Sequence, residues 1–270
     1  MPRSLWNGSL SFGLVNVPVA LHSAIRDEGV HFRQLHEKDG APIETRRFCS
    51  EEDEEVPWEE IVHGYEVSKG RWVALTDEEL AAAEPTKTRT IDIEEFVDLA
   101  EVDPIYFDHP YFLMPAPGEG AARAYRLLAE VMDASGKVAI GRFVLRTKEY
   151  LVALRVRDGA ISLTTMLFHD EVRPTKGIAP TAAKRTAPAK EEVDQAVALV
   201  DALTRKFDPK KYEDRHRKRL LKIIRDKKKG RKLKLPEPRD EPDAAPDLMA
   251  ALEESLARAK KGSRAKAASR

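Results

Sequence analysis

A single cysteine in 270 residues, Cys49, leaves no partner for a disulfide and no second thiol for a zinc site, and it suits a reducing compartment. Long apolar runs are equally scarce. None approaches the roughly 18 residues of a membrane span, and Met1-Pro2-Arg3 leads into a polar-apolar alternation instead of a signal-peptide core. The chain therefore reads as cytoplasmic. With 42% hydrophobic residues and a mean hydropathy of −0.48 it also reads as soluble and large enough to bury a real core. Catalytic signatures are missing too: there is no GxxxxGK[ST] loop, no GxGxxG opening a helix, no HExxH and no GxSxG elbow. No enzyme activity, cofactor or metal is expected.

Net charge is absent only in sum, because 46 Lys+Arg balance 46 Asp+Glu. Residues 1–180 hold 20 Lys+Arg against 31 Asp+Glu, residues 181–235 hold 19 against 8, and residues 236–270 hold 7 against 7. A concentrated cationic stretch beside an acidic body attracts polyanions, which makes nucleic acid the first partner to consider. The densest part is Lys227, Lys228, Lys229, Arg231, Lys232 and Lys234. Cations suit a helix C-terminus, but six so close together repel one another unless a polyanion relieves them. Arg26, Arg46, Arg47, Lys69, Arg71, Lys87 and Arg89 are sparser, and they matter as DNA contacts only if the fold gathers them on one surface. The acids of Glu51–Glu55 and Glu59-Glu60 read as a solvated loop, against the rigid carboxylate set of a metal nuclease. His169-Asp170-Glu171 reads as a strand end, not a triad fragment.

Periodicity sketches a β-rich body. Trp6, Gly8, Leu10, Phe12 and Leu14 share one parity, and after Gly13 the phase moves to Val15, Val17, Val19 and Leu21, as in one long strand bent by a bulge. Strand-like patches follow at Val30–Leu35 and Ile43–Phe48. Lys69-Gly70 sits between two short runs as a hairpin turn, and Thr76 with Glu79 forms a capping box for a short helix ending near Pro85. Strands are expected at Thr88–Ile93 and Tyr111–Met114, and a helix at about Glu119–Ala134 stopped by Gly136. A meander then runs through Lys137–Arg146, Glu149–Arg157 and Ala160–Phe168, with Asp158-Gly159 as its clearest turn. Strands, one helix and more strands make a barrel with excursions.

Beyond a Pro/Ala/Thr/Lys linker at 174–189, a helix over Lys190–Phe207 carries Val193, Val197 and Val200 on one face. Asp208 and Pro209 start a second helix that runs to about Lys229 and includes Tyr212, Leu220 and Ile224. Its apolar residues are too few for a core of its own, so it must lean on the barrel or on a second subunit. Asp247 caps a last amphipathic helix with Leu248, Met249, Leu252 and Leu256 on one side, and Gly262–Arg270 reads as a disordered basic tail.

Several of these blocks resemble the Ku proteins of bacterial double-strand-break repair. They are LWNGSLSFGLVNVPVALHSA (5–24), HGYEVSKGRWVALTDEEL (63–80), EFVDLAEVDPIYFDHPYFLMP (95–115), FVLRTKEYLVALRVRDG (143–159), LFHDEVRP (167–174), FDPKKYEDRHRKRLLKII (207–224) and DLMAALEESLARAKK (247–261). The resemblance implies a mainly β fold with α: a Ku-type barrel core with an arching insertion, two copies of which form a ring around duplex DNA, plus a C-terminal helical arm. It divides the chain into a core at 1–175 with an insertion at about 35–100, a linker at 176–189, a dimerisation arm at 190–230 and a tail at 231–270. Family members are not enzymes; they bind and bridge DNA ends and recruit a multifunctional ATP-dependent DNA ligase. Many relatives carry a CxxC after an Arg-Arg pair, whereas RRFCSEED here keeps Cys49 alone, so no zinc-held arch is expected.

The resulting expectation is a sequence-independent, homodimeric binder of double-stranded DNA ends in non-homologous end joining. Val193, Val197, Val200, Tyr212, Leu220 and Ile224 are its dimerisation residues, the basic residues named above its DNA contacts, and Leu248, Met249, Leu252 and Leu256 its partner-binding stripe. An architectural protein that coats DNA without end preference is the alternative, and a nuclease using the acidic loop is a third reading.

Overall fold

The computed structural model describes residues 3–83, 89–176, 189–231 and 250–258. They fall into two compact units, one of residues 3–28, 33–83 and 89–175 and one of residues 29–32, 176, 189–231 and 250–258.

The first unit is built on a closed barrel. Its staves are β1 (Trp6–Phe12), β2 (Val15–Ser23), β5 (Thr90–Asp98), β6 (Phe107–Pro115), β7 (Lys137–Leu145), β8 (Lys148–Arg157) and β9 (Ala160–Met166), in the order β1-β2-β6-β9-β8-β7-β5. Every pair is antiparallel except the closure, where Ser9–Ser11 of β1 meet Thr90–Asp92 of β5 in parallel. Thr90–Asp98, part of the expected insertion, is thus a barrel stave.

Alternation decides the core. Leu10, Val17, Val19 and Leu21 point inward with Ile91, Leu113, Phe143, Val152, Leu154, Ile161 and Leu163. Trp6 packs edge-on to Phe143, with ring centroids 5.8 Å apart. The closing strand is pressed from both sides against glycine. A Cβ on Gly8 would stand 2.3 Å from the Arg89 carbonyl oxygen, and one on Gly141 2.3 Å from that of Asp92. Only a residue without a side chain lets β5 seat between β1 and β7.

One end of the barrel is sealed by α2 (Glu119–Ser135), whose Tyr125, Leu128, Ala129 and Met132 enter the core. Gly136 ends it in the left-handed conformation, donating to the carbonyls of Met132 and Asp133. The Tyr125 hydroxyl donates to the Leu113 carbonyl at 2.7 Å and accepts from the Ile161 amide at 2.7 Å. Leu113 and Ile161 are register partners on β6 and β9, so this hydroxyl bridges the two strands. Burial raises its pKa.

Two strand expectations are corrected. Residues 6–23 are two strands in a tight hairpin, Phe12 opposite Val15, with Gly13 at φ +58° and Leu14 at the tip. A two-residue reversal shifts parity just as a bulge does, and the left-handed Gly13 makes it a turn. Residues 30–35 and 43–48 hold only isolated bridges, Leu35 to Pro42 and Phe48 to Glu55, because no neighbouring strand extends them. The other local signals form as written. The hairpin of β3 (His63–Ser68) and β4 (Arg71–Leu75) turns on Gly70 at φ +73°. Thr76 and Glu79 exchange their capping bonds at 2.9 and 3.2 Å ahead of α1 (Asp77–Ala83), and Asp158 and Gly159 both have positive φ.

The second unit holds α3 (Lys190–Leu203), α4 (Arg215–Lys228) and α5 (residues 250–258). The expected second helix is shorter at its start. Asp208 and Pro209 cap a single 3₁₀ turn over Pro209–Lys211, and Asp214 caps α4 by accepting from the Arg217 amide. Pro and Asp open the turn, but Tyr212 reverts to extended backbone and ends it. α3 also stops at Leu203, before the expected Phe207.

Candidate nucleic-acid interface

The chain between β2 and β5 leaves the barrel and comes back to it. Among its described residues, 24–83 and 89, none is buried. Its hairpin β3–β4 shows Tyr65, Val67, Trp72 and Val73 to solvent, and Phe32, Phe48 and Trp58 are exposed beside it in sequence. A two-stranded hairpin without a covered face is marginal in water.

The cations of this arm differ in what surrounds them. Arg46 is already neutralised, with its guanidinium 3.0 Å from Glu55 and 4.0 Å from Glu44. Arg47 lies over the Trp58 ring, 4.4 Å from its centroid. Arg26, Lys69, Arg71 and Arg89 are exposed and have no carboxylate within ion-pair distance among the described residues. Lys69 and Arg71 flank Gly70 at the tip of β3–β4, while Arg89 accepts the Ser9 amide with its carbonyl at 2.8 Å, at the root of the arm. Lys87 lies outside the described residues. Arg33 and Lys38 stand on the same arm in the same unpaired state. Neither was singled out by the sequence, where Lys38 stands between Glu37 and Asp39 and Arg33 stands alone.

The barrel wall presents the opposite picture. Lys137 pairs with Asp98 at 2.7 Å, Arg142 with Glu94 at 3.0 Å and Glu149 at 3.4 Å, and Lys148 with Glu171 at 3.6 Å. These three cations are already paired, whereas Arg155 of β8 is exposed with no carboxylate within ion-pair distance among the described residues.

In the acidic loop, Cys49 and Glu54 close a tight turn, with the Cys49 amide donating to the Glu54 carbonyl at 2.9 Å. The amides of Glu51 and Glu52 hold the Cys49 thiol below its ordinary pKa. Among the described residues no group of three or more His, Cys, Asp or Glu is arranged to hold a metal.

α4 carries Lys227 and Lys228 in its last turn, with Lys229 as its C-cap and Arg231 just past it; Arg231 lies 3.5 Å from Asp226. Lys232 and Lys234 lie outside the described residues. Neither α3 nor α4 has a buried residue. Val193, Val197 and Val200 are exposed along α3, Ile224 is exposed and Leu220 half-buried on α4, and Tyr212 is exposed and stacked on Phe207 at 5.8 Å. Leu252 and Leu256 are half-buried on α5, while Leu248 and Met249 lie outside the described residues.

Residues 11–195 match the family described as the Ku70/Ku80 beta-barrel domain. The chain belongs to the Ku family. Similar relatives are named "Non-homologous end joining protein Ku" in Anaeromyxobacter sp. (strain K), 44% identical over 97% of this chain and 87% of the relative, and in Bacillus subtilis (strain 168), 36% identical over 97% and 84%. "Non-homologous end joining protein Ku 1" of Geotalea uraniireducens (strain Rf4) is 41% identical over 96% of this chain and 98% of its own. The barrel is the part of this Ku fold with a core of its own. No helix among the described residues is long and apolar enough to cross a membrane.

Proposed function

We propose that this chain binds double-stranded DNA ends, without regard to sequence, as a ring-shaped homodimer in non-homologous end joining, and that it recruits and stimulates an ATP-dependent DNA ligase. The observation that carries the reading is a contrast in burial. The barrel is closed and packed, whereas the arm between β2 and β5 and helices α3 and α4 show apolar residues to solvent with none buried among the described residues. Such elements fold stably only against something else, and this reading assigns that place to a second copy. Sequence-blind binding needs phosphate contacts, not base-reading side chains.

In this reading the arm between β2 and β5, most of the insertion expected at about 35–100 of the 1–175 core, closes the ring. Arg26, Lys69, Arg71, Lys87 and Arg89 face the duplex, and Lys227–Lys229, Arg231, Lys232 and Lys234 touch DNA flanking it. Past the 176–189 linker, residues 190–230 clasp the partner through Val193, Val197, Val200, Tyr212, Leu220 and Ile224. In the 231–270 tail, Leu248, Met249, Leu252 and Leu256 meet the ligase. The protein acts in the cytoplasm, on the nucleoid.

Mobility shifts on linear and covalently closed duplex of equal length test the threading step. Binding confined to the linear form supports it; equal binding to both replaces it with the architectural alternative. Deleting residues 236–270 should spare end binding and lower ligase stimulation. Unchanged ligation by that truncation would remove the tail from the partner assignment.

A further inference from the structure

The closing strand β5 outruns its parallel neighbour. It pairs with β1 only over Thr90–Asp92, whereas β7 accompanies it to Asp98. Along Glu94–Val97 no strand is paired on the other side and no backbone bond outside the β7 ladder engages it, among the described residues. Glu94, Glu95 and Phe96 are exposed. This is an open sheet edge, a feature that folded proteins ordinarily cover or blunt.

The edge has an apolar flank. Phe96 packs edge-on to Phe12, ring centroids 5.3 Å apart, and both remain exposed. Past Phe12 the β1–β2 turn lifts Leu14 into solvent with 101% of its surface free, a placement that no contact among the described residues explains. The edge is also anionic. Asp98 and Glu94 keep salt bridges to Lys137 and Arg142, but Glu95 has no such partner among the described residues. An edge of this sign repels DNA and repels its own copy.

We propose that the open β5 edge, with Phe12, Leu14 and Phe96 beside it, is a docking site for a protein partner that adds an extended strand alternating apolar and cationic residues. Main-chain bonds to Glu94–Val97 supply the pairing, the apolar side chains cover Leu14 and Phe96, and the cations meet Glu95. The site is distinct from the arm and its cations and requires neither the DNA-end reading nor the ligase assignment.

The test uses the full chain and two fluorescein-labelled ten-residue peptides, one alternating valine with lysine and one alternating valine with glutamate. Anisotropy should show the lysine peptide binding about tenfold or more tightly, since the charge pattern sets the preference. Hydrogen exchange should slow at the amides of Glu94–Val97 when it binds. Leu14→Ser and Glu95→Gln should each weaken that binding several-fold and leave duplex affinity unchanged. Leu14 touches no core, so its variant folds if any does. Equal binding of both peptides, protection confined to β3–β4, or concentration-dependent protection of Glu94–Val97 without peptide would each overturn the assignment, the last by making the edge a contact between copies.

Discussion

Two tryptophans separate the halves of this molecule. Trp6 on β1 lies edge-on to Phe143 against a closed core, while Trp58 on the arm is 64% exposed and has Arg47 as its recorded ring partner. Their surroundings in sequence differ, since Trp6 opens an alternating run free of acids and Trp58 lies between Glu51–Glu55 and Glu59-Glu60. What differs in the fold is closure. The staves share a closed inner face, whereas the β3–β4 hairpin has one partner strand and, among the described residues, no buried face. The lesson is that the barrel has a core within one chain and the described part of the arm has none.

Truncation in the two places breaks or sharpens that comparison. Phe143→Ala removes a fully enclosed ring and should cost about 3–5 kcal/mol in urea unfolding. Trp58→Ala should change barrel unfolding by less than about 0.5 kcal/mol, as surface substitutions do, while shifting the monomer–dimer equilibrium in sedimentation. Similar costs at both positions would mean that the arm has a core of its own.

Next in size is Tyr125→Phe, which leaves the Leu113 carbonyl and the Ile161 amide without their bridge and should cost about 1–3 kcal/mol. The same hydroxyl gives the barrel a pH dependence. Its folded-state pKa is raised by burial above the ordinary value of 10.0. Its contribution is therefore fully present below pH 10.0 and is lost as pH rises through the raised value. Denaturant midpoints measured up the alkaline limb should fall for the natural protein, with that part of the fall missing in Tyr125→Phe.

Smaller effects separate the cations. Six to ten phosphate contacts make duplex affinity fall roughly 10³–10⁵-fold between 50 and 200 mM salt. Replacing Lys69 and Arg71 together by alanine should lower the log–log salt slope by about 2. Arg46→Ala should leave that slope unchanged and cost at most about 1 kcal/mol of stability, because Glu55 already holds its charge in an exposed pair. An equal slope change at Arg46 and at Lys69 would mean that the Glu55 pair opens on DNA.

Local signals were the readable part of the fold. Asp158-Gly159, Lys69-Gly70, the Thr76–Glu79 box and the Gly136 stop each fix a backbone geometry within a few residues, and each forms as its chemistry dictates. The β1–β2 hairpin misled because a bulge and a two-residue turn shift parity alike. Only the fold distinguishes Leu10, fully buried, from Leu14, fully exposed, four residues along. Strand-like composition at 30–48 found no partner strand and stayed irregular. In the candidate interface the sign of the charge was legible and its availability was not: Glu55 reaches Arg46 across nine residues because a bridge from Phe48 to Glu55 folds the loop back. No spacing rule reports that.

The central claim is that two such chains close around duplex DNA entered from an end. It is tested most directly by loading the protein on a linear duplex with biotinylated ends, adding streptavidin either before or after loading, and challenging with high salt. A threaded ring predicts no complex when the ends are blocked first and a salt-resistant complex when they are blocked afterwards. Equal binding and equal salt sensitivity in both orders would contradict it.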